Sequence, residues 1–242
     1  MGFSFLPWER YTHLLTDYSA ALAAQNVCLA GAIWVIAAYL VGAIPFGLLF
    51  GFMKGLDIRT KGSGNIGATN AIRLLGKPIG ITAFLLDFLK GFGPTLLALR
   101  LGEPIVPAGT NPQLLALLCG AAAVLGHCYP VYLRFKGGKG VAATAGAVLA
   151  LRWDAALVSF AVFFLVRAIS RYVSLSSMAL GAAFPLAIVI LHPDDAFGSY
   201  MWITIGGILA ALLIAVRHRS NIARIAKGEE SKIGEPDPDR VH

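Results

Sequence analysis

Charge is what this sequence has least of. Only 14% of its 242 residues are Asp, Glu, Lys or Arg, while 57% are hydrophobic. Soluble domains carry about 25% charged residues, so a water-covered globule is excluded and a membrane-embedded chain is expected. Acids are the scarcer sign, 13 against 20 bases. Cysteine is rare too. Cys28, Cys119 and Cys128 lie in or beside apolar stretches with no CxxC spacing, which excludes a disulfide framework and makes them packing residues. Residues 1–27 hold Glu9, Asp17 and one base, Arg10. They lack the charged start and small-residue cleavage site of a signal peptide and read as a surface segment. Familiar catalytic groupings are also missing. Tyr132 and Ala223 stand where a His-x4-Asp dyad would need its aspartate after His127 and His218, and there is no G-x-S-x-G elbow, paired carboxylate or metal cluster. An enzyme built from this chain would therefore work by positioning and electrostatic stabilisation, with no cofactor and no metal.

What is present is a series of apolar runs. A helix needs about 20 apolar residues to cross the hydrocarbon core. Candidate spans are Cys28–Phe52, Ile79–Leu99, Gln113–Leu133, Val141–Leu151, Ala155–Ile169, Ser176–Leu191 and Tyr200–Val216. The eleven residues of Val141–Leu151 reach across only if the helix continues into Lys139–Gly140 and Arg152–Asp154. The fold expected is an all-α integral membrane protein of seven transmembrane helices, or six if that short run fails. Assigning the connections alternately to two sides places sixteen bases on one side, three on the other and Lys90 within a span. The positive-inside rule then puts the basic side, with the C-terminus, in the cytoplasm and the N-terminus outside. An odd number of spans is required, which favours seven. The expected division is 1–27 as an N-terminal extension, 28–222 as the membrane domain and 223–242 as a cytoplasmic tail.

Two loops on the basic side carry the chemistry. Lys61–Asn70 reads Lys-Gly-Ser-Gly-Asn-Ile-Gly-Ala-Thr-Asn, with three glycines and no acid. Glycine lets main-chain N–H groups converge on an anion, usually a phosphate. For one such loop alone, a flexible linker is the better reading. A second one on the same side, Arg134-Phe135-Lys136-Gly137-Gly138-Lys139-Gly140, tips the reading to phosphate binding. It lacks Walker spacing, so no ATPase follows. Arg73 can hold phosphate oxygens bidentately, although an isolated arginine on this side also serves as an interface anchor. Asp87 and Lys90, three apart on one helical face, can pair inside the membrane. Pro45 marks a kink in the first span. Hydroxyls in Ser174–Ser177 cap a helix or donate to a ligand. His218 and Asn221 share a face if the last helix continues, and a histidine can handle a proton.

Gly62-Ser63-Gly64-Asn65-Ile66-Gly67-Ala68-Thr69-Asn70, then Gly126-His127-x-x-Pro130 with Phe135-Lys136-Gly137-Gly138-Lys139-Gly140-Val141-Ala142, resemble the first two signature loops of the bacterial acyl-phosphate-dependent glycerol-3-phosphate acyltransferases, PlsY. Ser174–Ser177 resembles the third, and His218-Arg219-x-Asn221-Ile222 followed by Lys232-Ile233-Gly234 resembles the family's ending. The likeness spans residues 30 to 234. One departure is Val141-Ala142-Ala143-Thr144 in place of Val-Ala-Thr. The resemblance implies a multi-pass enzyme of the bacterial inner membrane with its active site on the cytoplasmic face. It would pass an acyl group from acyl phosphate to the 1-hydroxyl of glycerol 3-phosphate, giving lysophosphatidate and phosphate, the first step of phospholipid synthesis. Its chemistry would be substrate-assisted. The implied catalytic residues are Ser63, Asn65, Lys139, His218 and Asn221. Substrate would be bound by Gly62, Gly64, Gly67, Thr69, Asn70, Arg73, Lys136, Gly137, Gly138, Ser176 and Ser177. Ser63, Gly64, Asn65, Gly137, Gly138 and Lys139 would cradle the acyl-phosphate head, while Arg73, Lys136 and Ser177 hold glycerol 3-phosphate. The expected partners are those two substrates and the bilayer, with no nucleic acid, in a monomer. The rivals are a membrane anion transporter gated by the two glycine loops and a cytoplasm-facing scaffold.

Overall fold

Pro45 breaks the first apolar run, as its lack of an N–H requires. In the computed structural model, which describes residues 28–102 and 112–233, helix α1 covers 28–42 and α2 covers Phe46–Met53. The Ile44 carbonyl at the break accepts a hydrogen bond from Lys90 Nζ at 2.8 Å. An interrupted helix is tolerated at membrane depth when a neighbour satisfies the freed backbone in this way. The helices that follow are α3 Ala68–Leu75, α4 Lys77–Leu101, α5 Pro112–Cys128, α6 Val141–Leu151, α7 Trp153–Ser170, α8 Val173–Leu191, α9 Met201–Arg217 and α10 Arg219–Lys227. No strand occurs among the described residues.

The packing is inverted relative to a soluble protein. Large apolar side chains face outward, among them Ile169, Ile190, Leu186 and Leu209, whereas the interior is lined by Ala38, Ala83, Ala98, Ala116, Ala123 and Ala143. Apolar side chains gain nothing by leaving lipid, so close approach of small residues is what holds such helices together. α4 packs against α5, α6, α3 and α2, and α7 and α8 pair with each other. The short α6 is buried from Ala143 to Val148 and touches α4, α5, α7, α8 and α9.

Among the described residues, five helical segments are long and apolar enough to cross a membrane, and a sixth is counted if α9 and α10 form one span bent by 55°. The expected extension of Val141–Leu151 does not occur. Gly140 enters the left-handed region at φ 81°, and Arg152 leaves helical geometry before α7 begins, so α6 stays at eleven residues. The third connection is also shorter than expected. α8 starts at Val173, which puts Ser174, Ser176 and Ser177 inside its first turns and leaves only Arg171 and Tyr172 between helices.

The two ends of the bundle differ. At one, Asp154 accepts from Arg152 and lies 2.6 Å from His192 Nε2, while the Arg152 guanidinium sits 4.0 Å over the Tyr200 ring, tying the α6–α7 turn to the end of α8. At the other end gather both glycine loops and α10. Residues 228–233 fold back onto that end, where Ile233 N–H donates to the Arg171 carbonyl at 3.0 Å and Arg171 returns a bond to the Ile233 carbonyl at 2.9 Å. The anticipated boundary at residue 222 falls inside α10. The N-terminal extension, the segment 103–111 and the tail from Gly234 lie outside the described residues.

Candidate active site

The first glycine loop is organised from within by Asn70, which is buried in α3. Its Nδ2 donates to the Ile58 carbonyl at 2.9 Å and the Lys61 carbonyl at 3.4 Å, and its Oδ1 accepts from Ser63 N–H at 3.0 Å. Gly62 must be glycine, because at φ 56° a Cβ would stand 2.5 Å from that same Oδ1. Gly64 N–H donates to the Lys61 carbonyl, and Gly67 N–H to Asn65 Oδ1. The expected cradle of loop N–H groups is therefore corrected. The N–H groups of Ser63, Gly64 and Gly67 are used inside the loop, and what the loop presents is the polar rim Ser63-Gly64-Asn65.

The second loop is held more tightly still. Gly137 N–H donates to the Cys128 carbonyl at 3.2 Å and Gly138 N–H to the His127 carbonyl at 3.0 Å, so these too are unavailable to an anion. A Cβ on Gly138 would lie 2.0 Å from His127 Nε2. The imidazole thus forms the floor beneath this loop. His127 Nδ1 in turn lies 3.7 Å from Asp87, which pairs with Lys90 at 2.8 Å. The buried pair expected from i, i+3 spacing is present, and it underpins the loop from the membrane interior without lining either cavity.

Lys139 leaves this loop and donates to Asn221 Oδ1. Asn221 Nδ2 donates to Glu230 at 2.6 Å, where Ser174 Oγ and Arg224 Nε also donate, at 2.7 and 2.8 Å. Those three bonds hold the Glu230 carboxyl below its ordinary range despite burial. Burial pushes the Lys139 ammonium down to about 8, with Arg224, Arg73 and Arg217 adding to the push and Glu230 opposing it. His218, outside the span at the α9–α10 bend, is pushed down to about 4 by burial and by the Lys139 charge, so it is neutral near pH 7. Its Nδ1 lies 2.8 Å from the Ile214 carbonyl; donation there leaves Nε2 as the acceptor.

Two cavities open at this end. One, of about 210 Å³, is lined by Ser63, Gly64, Asn65, Lys139, Arg217, Arg219, Ser220 and Arg224. The other, of about 340 Å³, is lined by Arg59, Gly64, Ile66, Phe135, Lys136, Gly137 and Arg217. Neither lining contains an acid, and cations with hydroxyl and amide groups are the surroundings that a phosphate recognises. A model of the family described as glycerol-3-phosphate acyltransferase matches residues 32–228. The chain belongs to this acyltransferase family.

Curated members similar to this chain carry the same name. One from Trichlorobacter lovleyi is 43% identical over 203 residues, covering 84% of this chain and 97% of its own length. One from Aquifex aeolicus is 45% identical over 199 residues, covering 82% and 96%. A crystal structure of PlsY (YgiH), an integral membrane glycerol 3-phosphate acyltransferase in its glycerol 3-phosphate form, matches with a TM-score of 0.75 at 40% identity, covering 84% of this chain and 96% of that one. The lysophosphatidic acid form of PlsY matches with a TM-score of 0.73. The chain is thus an integral membrane member of the acyltransferase family.

Within this family fold, the residues named from sequence take different places. Ser63, Gly64, Asn65, Lys136, Gly137 and Lys139 line the cavities. His218 and Asn221 are buried next to Lys139, and Arg73 is near enough for its charge to act on that lysine. Gly62, Gly67, Asn70 and Gly138 shape the loops from behind, and Thr69 sits exposed on α3 away from both cavities. Ser176 and Ser177 are a further correction. Their hydroxyls donate at 2.7 Å to the Tyr172 and Val173 carbonyls, and both are buried in α8, so they neither cap the helix nor face the cavities. Sequence reasoning missed Arg217, Arg219, Arg224 and Glu230. The arginines were visible as a basic cluster, which also serves as an interfacial anchor; Glu230 carried no signal.

Proposed function

We propose that the protein transfers the acyl group of an acyl phosphate to the 1-hydroxyl of sn-glycerol 3-phosphate. The hydroxyl oxygen attacks the acyl carbonyl carbon, the bond from that carbon to the phosphate oxygen breaks, and the hydroxyl proton ends on a phosphate oxygen. Lysophosphatidate and inorganic phosphate leave. The observation that carries the reading is the acid-free pair of adjoining cavities, with Lys139 at one and Lys136 at the other, in a chain more than 40% identical to named glycerol-3-phosphate acyltransferases. Two phosphate-bearing substrates call for two cationic sites within reach of each other. Ser63, Asn65 and Lys139 stabilise charge building on the carbonyl and the leaving phosphate. His218 and Asn221 orient the attacking hydroxyl, and Arg73 strengthens the local positive field. Phosphate leaves readily, so a weak acceptor such as a substrate phosphate oxygen suffices for the proton.

The same reading places the protein in the bacterial inner membrane as a monomer of seven helical spans, the seventh being α6, which is too short to cross alone and is enclosed by its neighbours. The cavity end faces the cytoplasm, in keeping with the sixteen bases on that side. The named relatives weigh against the anion transporter. The test is purified protein supplied with palmitoyl phosphate and glycerol 3-phosphate, following phosphate and lysophosphatidate together. Ser63→Ala and Lys139→Ala are expected to lose about 100-fold or more. A folded, lipid-supplied sample with no turnover overturns the reading, and labelled phosphate uptake into liposomes without donor revives the transporter.

A further inference from the structure

Arg217 ends α9 and borders both cavities. Its Nε donates to the Gly138 carbonyl at 3.0 Å, and its Nη2 donates to the Gly137 and Gly138 carbonyls at 2.7 and 2.6 Å. Its guanidinium lies 5.1 Å from the centre of the Tyr129 ring. The N–H groups of the same two glycines are taken by Cys128 and His127 from the opposite side. The Gly-Gly segment is thus gripped along both edges. Glycine is the residue most free to rotate, and here the peptide joining Gly137 to Gly138 cannot turn without breaking a bond on each side.

The next residue is Lys139. Building on the acyltransferase reading, we infer that Arg217 is a positioning residue for the transfer: by clamping the Gly137 and Gly138 carbonyls it sets the direction in which Lys139 enters the cavity beside Ser63 and Asn221. Lysine could not do this. A compact ammonium reaches one carbonyl well, whereas the planar fork bridges two and lies flat on an aromatic ring. The charged and titratable groups around Lys139 are Glu230, Arg224, Arg73, Arg217 and His218, with Asn221 accepting its hydrogen bond.

The test compares wild type, Arg217→Lys and Tyr129→Leu by kcat/KM against pH, from neutral pH to the limit of acyl-phosphate stability. Gel filtration and thermal unfolding accompany each protein. Wild type is expected to lose activity as pH rises through about 8, where Lys139 gives up its proton. Arg217→Lys keeps the charge but frees the loop. Its plateau is expected to fall by about 10- to 100-fold, and its alkaline limb to move to higher pH as Lys139 relaxes toward solvent. Tyr129→Leu should shift both in the same direction by less. A lowered plateau with an unmoved limb overturns the inference, because a merely structural arginine changes the amount of active enzyme and not the titration of Lys139. Wild-type behaviour in Arg217→Lys overturns it as well. If Arg217→Lys does not elute as a folded species, the limb of Tyr129→Leu decides in the same way. If wild type itself shows no turnover, the acyltransferase reading falls, and the clamp is judged by inorganic phosphate affinity: weaker binding in Arg217→Lys supports it and unchanged binding overturns it.

Discussion

Lys139 shows how much a single side chain's surroundings decide. It is partly buried, it bonds Asn221, and its ammonium sits near the edge of its working range because burial disfavours charge. The charged form is the one that attracts phosphate, so activity is expected to fall above about pH 8. Lys139→Arg stays protonated throughout, and its pH–rate profile should lose that limb even if its plateau is lower. Gly138 is constrained from below in the same neighbourhood. Gly138→Ala must move the His127 ring, since the added Cβ would stand 2.0 Å from Nε2. A loss of about tenfold or more in kcat/KM with a lowered unfolding temperature is expected. An active, equally stable Gly138→Ala would show that the imidazole floor is not rigid.

At the level of elements, α4 carries the polar interior and the close contact with α6. Gly91 meets the Ala143 carbonyl of α6, where a Cβ would come within 2.0 Å, whereas a Cβ on Gly93 meets nothing within 4 Å. Gly91→Ala should therefore force the two helices apart and destabilise the protein in detergent unfolding experiments. Gly93→Ala should leave activity unchanged and be neutral, or stabilising by about 0.5–1 kcal/mol. Equal effects of the two would contradict the packing described. The Asp87–Lys90 pair gives a second check, because Asp87→Leu strands the buried ammonium. A cost of about 3–5 kcal/mol is expected, reduced in the Asp87→Leu/Lys90→Met double variant. The Asp87–Lys90 spacing was visible in the sequence as an i, i+3 pair. Which glycine faced another backbone was not, because that depends on how α4 rotates against α6.

For the whole molecule, the residues just past α10 are tied to the site. Glu230 collects bonds from Ser174 on α8 and from Asn221 and Arg224 on α10, and the segment that follows it is pinned to Arg171. Glu230→Gln should lower the unfolding temperature and slow turnover, since Asn221 loses the partner that orients it toward Lys139. The sign with pH follows from the depressed carboxyl. The folded state binds this proton less readily than the unfolded chain, so the stabilisation is complete above the ordinary glutamate value of 4.5 and is lost as pH falls below it. The difference in unfolding temperature between wild type and Glu230→Gln should therefore shrink in acid. A gap that persists unchanged would remove the carboxylate from the explanation.

Composition and local order alone determined that this is an all-helical membrane protein. They also brought out the two acid-free glycine loops and Lys139, because burial in lipid and phosphate recognition each leave a mark on contiguous residues. The sequence also resolved a short, doubtful crossing at Val141–Leu151, which the structure turned into a buried hub. Tertiary structure alone decided which atoms face a ligand. Asn70, Gly137 and Gly138 read as binding residues, yet the bonds of Asn70 are spent inside its own loop and those of the two glycines on α5 and Arg217. Arg217 was visible only within a basic cluster and Glu230 carried no signal, yet one grips a loop 80 residues away and the other anchors the start of α8 from 56 residues away. A hydrogen-bonding group's partner is chosen by the folded chain from everything within about 3 Å, and proximity of that kind is not written in neighbouring residues.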